Sequence, residues 1–169
     1  MSSQVSINRQ YEKSSMSTPK LCPNTLSAWI RLLRAHTHCM NLVDERLKSA
    51  NLPPLTWYDV LYELHSSEHG YLRPYEIEQR ILLKQYNLSR LIDRLENEKL
   101  VEKTRCKVDG RGLFIKITEA GTALLERMWP IYAEMIDQEF GSRLEQGEAK
   151  QLAALLEKLV PPRSAPADD

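Results

Sequence analysis

Between Leu88 and Gly121 the hydrophobic period changes twice, and this alternation constrains the fold more than any other feature of the chain. Leu88, Leu91, Ile92 and Leu95 recur at i, i+3, i+4 and i+7, the stripe of a helix buried on one side. The following runs, LVEKTRCKV and GLFIKIT, are short, β-branched and partly alternating, and they flank Asp109-Gly110. Glycine readily takes positive φ, so an Asp-Gly pair between two such runs predicts a β-hairpin. Thr118-Glu119-Ala120-Gly121 then opens a long helix through Leu124, Leu125, Met128, Ile131, Met135 and Ile136. Pro130 lies inside that helix and is expected to kink it or to interrupt one hydrogen bond.

The flanking sequence is helical by the same criterion. Residues 1–23 are polar, Ser-rich and aperiodic, and read as a flexible arm. Asn24 and Thr25 are candidate caps for a first helix along Leu26, Trp29, Ile30, Leu33, Thr37 and Met40, continuing to Leu47 and ended by Pro53-Pro54. Thr56 is a candidate cap for a second helix with Trp57, Val60, Leu61 and Leu64 on one face and Gly70 beyond its end. Pro74 suits the first turn of a short helix to Ile81. A brief Leu82-Leu83 connection leads to a fourth helix over Lys84–Glu98, and a last helix is expected over Glu145–Leu159. Residues 161–169 read as a disordered tail.

The expected architecture is therefore mainly α with a small β-hairpin wing. Residues 55–118 form a winged helix-turn-helix, and residues 24–50 and 119–160 supply helices on either side.

Charge sharpens this. The chain carries 23 basic and 23 acidic residues, but they are not evenly spread. Residues 1–69 hold 7 basic and 6 acidic side chains, residues 70–118 hold 11 and 7, and residues 119–169 hold 5 and 10. A basic middle beside an acidic end is a localised footprint of the kind that meets a polyanion. No apolar run is long enough to span a bilayer, and no secretory leader is visible. Three cysteines without CxxC spacing make a disulfide scaffold a poor fit, and a reducing cytoplasm is the expected compartment. Six glycines and two phenylalanines argue against a glycine-punctuated all-β barrel. No GxSxG, P-loop, GxGxxG or paired-carboxylate motif is present, so the reading is a non-enzyme with no cofactor.

In a winged helix-turn-helix the second helix of the unit enters the major groove. With its apolar face buried, the fourth helix leaves Lys84, Gln85, Tyr86, Asn87, Ser89, Arg90 and Arg94 to point outward. Gln and Asn can read adenine edges with paired hydrogen bonds, and Arg or Lys can read guanine or hold phosphate. Lys107 and Arg111 at the wing tip are placed to reach a neighbouring minor groove.

The segment Ser89-Arg90-Leu91-Ile92-Asp93-Arg94-Leu95-Glu96, followed by Leu100-Val101, Asp109-x-Arg111-Gly112 and Thr118-Glu119-Ala120-Gly121, resembles the multiple-antibiotic-resistance regulator (MarR) family. In element order the resemblance spans about residues 26–160. It implies a homodimeric transcription regulator of double-stranded DNA, usually a repressor, in which the first and last two helices of each subunit interlock. It further implies that Arg111 is a minor-groove arginine, that Asp109 orients the wing through ion pairing, and that Arg90 and Arg94 contact phosphate or base edges. Two positions depart from the family pattern: Gly110 stands where an arginine is often found, and Lys99 stands where a helix-ending glycine is usual. The second departure requires another capping residue or some backbone strain.

Further candidates lie outside the DNA-facing elements. Trp29, Met40, Trp57, Tyr58 and Tyr62 supply aromatic and polarisable surface on the first two helices, with His36 as a polar neighbour. The resemblance implies a small-molecule pocket in this region, often for phenolic or other aromatic acids, although core packing explains each residue as well. Cys22 precedes the first helix, where the positive end of the dipole favours a thiolate. Peroxide-sensing members of the resembled family use a cysteine nearby, and an inert thiol in the arm is the alternative. Cys39 and Cys106 read as small packed side chains. His65-Ser66-Ser67-Glu68-His69 matches the HxxEH zinc pattern but has no obvious third ligand, so exposed polar residues at a helix end are the simpler reading. A zinc-sensing regulator or a zinc hydrolase would be its functional form. His36 and His38, two residues apart, point to different faces and make poor joint ligands.

Overall fold

The computed structural model of the chain describes residues 21–82, 88–105 and 112–160. The elements are α1 (Pro23–Ser49), α2 (Leu55–His65), β1 (Tyr71–Leu72), α3 (Pro74–Arg80), α4 (Leu88–Asn97), β2 (Val101–Arg105), β3 (Leu113–Ile117), α5 (Glu119–Met135) and α6 (Glu148–Glu157). A π-helical turn, Ile136–Phe140, and a 3-10 turn, Gly141–Arg143, join the last two helices. Packing divides the chain within α1, into residues up to Thr37 and residues from His38 onward.

In the first part, α1 begins at Pro23, one residue before the expected caps, because proline loses nothing in a first turn where its N–H would be unpaired. The Leu26 N–H bonds to the Cys22 carbonyl at 3.1 Å, and the Thr37 hydroxyl donates to the Leu33 carbonyl at 3.0 Å. Trp29 and Leu33 are exposed.

The second part holds the core. Val43 and Leu47 of α1, Val60, Leu61 and Leu64 of α2, Ile77 of α3, Leu91, Ile92 and Leu95 of α4, and Leu125 and Met128 of α5 are all buried together. Each fully buried side chain of this size contributes roughly 1.5–3 kcal/mol, so the helical stripes read from the sequence are also the main cohesive surface. The expected hairpin forms: β2 and β3 pair antiparallel from Val101↔Ile117 to Arg105↔Leu113. A third strand, not expected from the sequence, completes the sheet in the order β1-β3-β2. Two residues are too short to display a period. Gly70, at φ +68°, turns the chain so that Tyr71 and Leu72 meet Lys116 and Ile115.

Several helix boundaries differ from expectation. Thr56 lies inside the first turn of α2, whose cap position is Pro54. Two helices end in left-handed caps that are not glycine. Asn51, at φ 55°, ends α1 before the Pro53-Pro54 pair is reached, with Leu52 N–H bonded to the Leu47 carbonyl at 2.9 Å. Lys99, at φ 60°, ends α4 the same way, its own N–H on Glu96 and the Leu100 N–H on Leu95. The lysine at the glycine position is thus accommodated by strain rather than by a substitute cap, at a cost on the order of 1 kcal/mol. Helix α5 runs unbroken through Pro130, and Thr118 caps it by accepting the Gly121 N–H at 3.1 Å. Helix α6 is shorter than expected at both ends, starting after Gly147 at φ 88°. Residues 1–20, 83–87, 106–111 and 161–169, on which the expected arm, the expected start of the fourth helix at Lys84, the expected wing tip and the expected tail fall, lie outside the described residues.

Candidate nucleic-acid interface

Helix α4 is strongly two-sided. Leu91, Ile92 and Leu95 are buried, and Ser89, Arg90, Asp93 and Arg94 are exposed on the other side. Arg90 and Arg94 stand one turn apart, and neither forms an ion pair among the described residues. They are thus two fixed-charge donors on a helix anchored by its opposite face. Of the other residues expected on this surface, Lys84, Gln85, Tyr86 and Asn87 lie outside the described residues, as do Lys107, Asp109 and Arg111 at the wing tip.

The preceding helix, α3, is opened by a capping box in which the Arg73 N–H donates to Glu76 Oε2 at 2.6 Å. Helix α4 is held from the sheet. Toward its end, Lys103 of β2 reaches across to α4. Its ammonium lies 2.5 Å from Asp93 Oδ1 and 2.7 Å from Glu96 Oε2. Hydrogen bonds to Asp93 and then to Glu96 hold the Lys103 amine above the usual lysine range. Lys103 was not among the expected residues. The signal was present in the strand alternation, which puts position 103 on the same side as the buried Val101 and opposite the buried Ile115. On the outer face of the sheet, Tyr71 packs edge-on to Phe114 at 5.0 Å, and the Arg73 guanidinium lies 5.1 Å from the Phe114 ring centre.

The candidate ligand residues are only partly brought together. Tyr58 stacks on Tyr62 at 5.9 Å and on Trp129 at 6.3 Å, and meets Tyr132 edge-on at 5.4 Å. Trp129 and Tyr132 of α5 were missed because their partners lie on a helix distant in sequence. Burial, and then the neighbouring Tyr62 and Tyr132, push the Tyr58 phenol up to about 12. Burial also raises Tyr132, followed by the charges of Asp59 and Cys39. Met40 and Trp57 pack against the core, while Trp29 and His36 lie exposed in the part of the chain before His38.

The remaining candidates are separate. Cys22 is exposed, and hydrogen bonds from the backbone of Asn24 and Thr25 hold its thiol below the usual range. Cys39 is half-buried, and Cys106 lies outside the described residues. His65, Glu68 and His69 are exposed, and His69 stacks against Tyr71 at 5.6 Å. Among the described residues no group of three His, Cys, Asp or Glu side chains is placed to hold a metal ion. No described helix is long and apolar enough to cross a membrane.

Comparison with known proteins agrees with this architecture. A profile of the MarR family matches residues 50–112. An uncharacterised HTH-type transcriptional regulator of Bacillus cereus is 30% identical over 138 residues, which cover 80% of this chain and 90% of the relative. Sco3205, a MarR-family regulator of Streptomyces coelicolor solved in complex with DNA, superposes with a TM-score of 0.78 at 24% identity, over 91% of this chain and 97% of its own. The organohalide-sensing regulator RdhR-CbdbA1625, solved with 2,4-dichlorophenol bound, gives 0.70 at 22% identity, over 87% of each chain. At those identities the two structures establish the fold, and the relative and the profile carry the family. With the two-sided α4, the three-stranded wing and the Thr118-capped α5 in the same order, the chain belongs to the MarR family of winged-helix transcriptional regulators.

Proposed function

We propose that this regulator is a sequence-specific repressor. In this reading it binds a pseudo-palindromic operator as a homodimer and leaves it when a small aromatic or phenolic ligand binds. The observation that carries the reading is the division of α4 into a buried face and an exposed face bearing Ser89, Arg90 and Arg94. In this reading Lys84, Gln85, Tyr86 and Asn87 also contact the major groove, and Lys107, Asp109 and Arg111 serve the wing's contact with DNA, with Arg111 in the minor groove. Two such helices bind successive major grooves about 34–36 Å apart. The dimer is supported by apolar side chains left exposed on the terminal helices, Trp29 and Leu33 near one end and Leu155 and Leu159 near the other. The Tyr58, Tyr62, Trp129 and Tyr132 cluster supports an aromatic effector, in keeping with the dichlorophenol carried by one fold neighbour. A ligand that prefers a dimer with the wrong helix spacing draws the population away from the DNA-competent form.

The experiment is fluorescence anisotropy on the DNA upstream of the protein's own gene, at several salt concentrations. Binding that exceeds random DNA, weakens steeply with salt and is lost in Arg111→Ala is the expected result. Equal binding to every sequence in a genome-wide DNA selection would overturn the reading.

A second reading rests on Cys22, whose exposed thiol is held low by the Asn24 and Thr25 backbone. In that reading peroxide oxidises the thiolate and releases DNA. A Cys22→Ser protein that still lets go of DNA under peroxide would dispose of it.

A further inference from the structure

We propose that Lys103 is a positioning residue of the DNA interface, which by pairing with Asp93 and Glu96 keeps Asp93 from occupying Arg90 and so leaves that arginine to DNA. The proposal rests on the reading of α4 as the DNA-facing helix.

Asp93 follows Arg90 by three residues, a spacing at which side chains on a helix are neighbours and opposite charges pair. Both residues are exposed. A carboxylate so placed competes with phosphate for the guanidinium. In the structure it does not, because Asp93 Oδ1 lies 2.5 Å from Lys103 Nζ, and the same ammonium takes Glu96 Oε2 at 2.7 Å. Lys103 can do this because it enters from the inner face of the sheet. Val101 and Ile115, the cross-strand partner of Lys103, are buried there, and the lysine side chain itself is only 25% exposed, against 60% for Asp93. One fixed cation thus turns two carboxylates toward the wing strand and away from the arginine row. Without it α4 would present two uncompensated negative charges to a polyanion.

Ion pairs at this degree of exposure add little to stability, so the arrangement acts on DNA binding far more than on folding. That separates a positioning role from a merely structural one.

The test compares operator affinity in Lys103→Met, Lys103→Arg, Lys103→Met/Asp93→Asn and Lys103→Met/Glu102→Gln, with Arg90→Ala as reference. Glu102 is exposed and neighbours Lys103 on the opposite face of β2, so the two double variants carry the same net charge. Lys103→Met should bind about tenfold more weakly, the size of one lost charged contact, with an unchanged melting midpoint. Lys103→Arg should bind as wild type. Asp93→Asn should restore most of the loss and Glu102→Gln should not. Equal restoration by both, or no loss in Lys103→Met while Arg90→Ala binds weakly, overturns the proposal alone. If Arg90→Ala also binds as wild type, the reading of α4 falls and takes the proposal with it.

Discussion

Gly121 stands so close to Leu100 that a Cβ on it would overlap the Leu100 carbonyl oxygen. The same corner is tied by Thr118. Its hydroxyl donates to the Lys99 carbonyl at 2.8 Å and accepts the Gly121 N–H at 3.1 Å, and its own N–H reaches the Leu100 carbonyl at 3.1 Å. The end of α4 and the start of α5 are therefore one joint, tied by backbone contacts with almost no slack.

Gly121→Ala should destabilise the protein by roughly 2–3 kcal/mol, because the added methyl meets backbone that cannot swing aside. Thr118→Val keeps the shape but loses the cap and should cost about 1 kcal/mol, with Thr118→Ser near wild type. Urea unfolding of the three variants checks the order, and a Gly121→Ala protein of wild-type stability would show that the joint can open.

Lys99→Gly should stabilise by about 0.5–1 kcal/mol. The lysine at φ 60° pays the steric penalty of left-handed backbone, and glycine removes it at some entropic cost in the unfolded chain. A rise in urea midpoint with an unchanged slope is the expected readout. A fall would mean that the lysine side chain stabilises the cap.

The two faces of α4 should separate stability from binding. Leu95 is fully buried, and Leu95→Ala should cost about 3–4 kcal/mol through the cavity it leaves. Arg94 is exposed, and Arg94→Ala should stay within about 0.5 kcal/mol of wild-type stability while weakening operator binding about tenfold. Parallel melting and anisotropy curves decide. Unaltered binding in Arg94→Ala would remove this residue from the interface.

Tyr58 sets an alkaline limit. Its folded value of about 12 lies above the ordinary tyrosine value of 10, so folding favours the protonated ring. The stabilisation is whole below the unfolded value and is lost as the pH climbs through the folded one. Across that window the wild type should lose about 1–2 kcal/mol more than Tyr58→Phe, after allowance for solvent near the ring. Identical pH profiles for the two proteins would mean that the phenol titrates normally.

Much of the fold was legible because its signals are local. The stripe Leu88, Leu91, Ile92 and Leu95, the β2–β3 hairpin and the Thr118 cap each express themselves within a few residues, and the helical parts also supply the core. On the candidate interface, Ser89, Arg90 and Arg94 followed from the same stripe, since burial of one helix face fixes the other. The Thr56 cap failed because a preceding proline already holds the extended backbone that a cap position needs, so the helix starts two residues earlier.

By itself, then, the sequence determined the order of elements, which face of each helix is apolar, and the basic character of the middle segment. Those depend on period, turn chemistry and charge alone. The tertiary structure decided the rest: that Tyr71-Leu72 becomes a strand, that Lys99 takes left-handed backbone, that Lys103 crosses to Asp93, and that Tyr58 stacks with Trp129 and Tyr132. Each of these is a meeting of residues far apart along the chain, or a strain tolerated because such meetings fix it. Local pattern goes no further than placing Lys103 on the inner face of its strand; the meetings themselves gain their energy only once the core has closed around them.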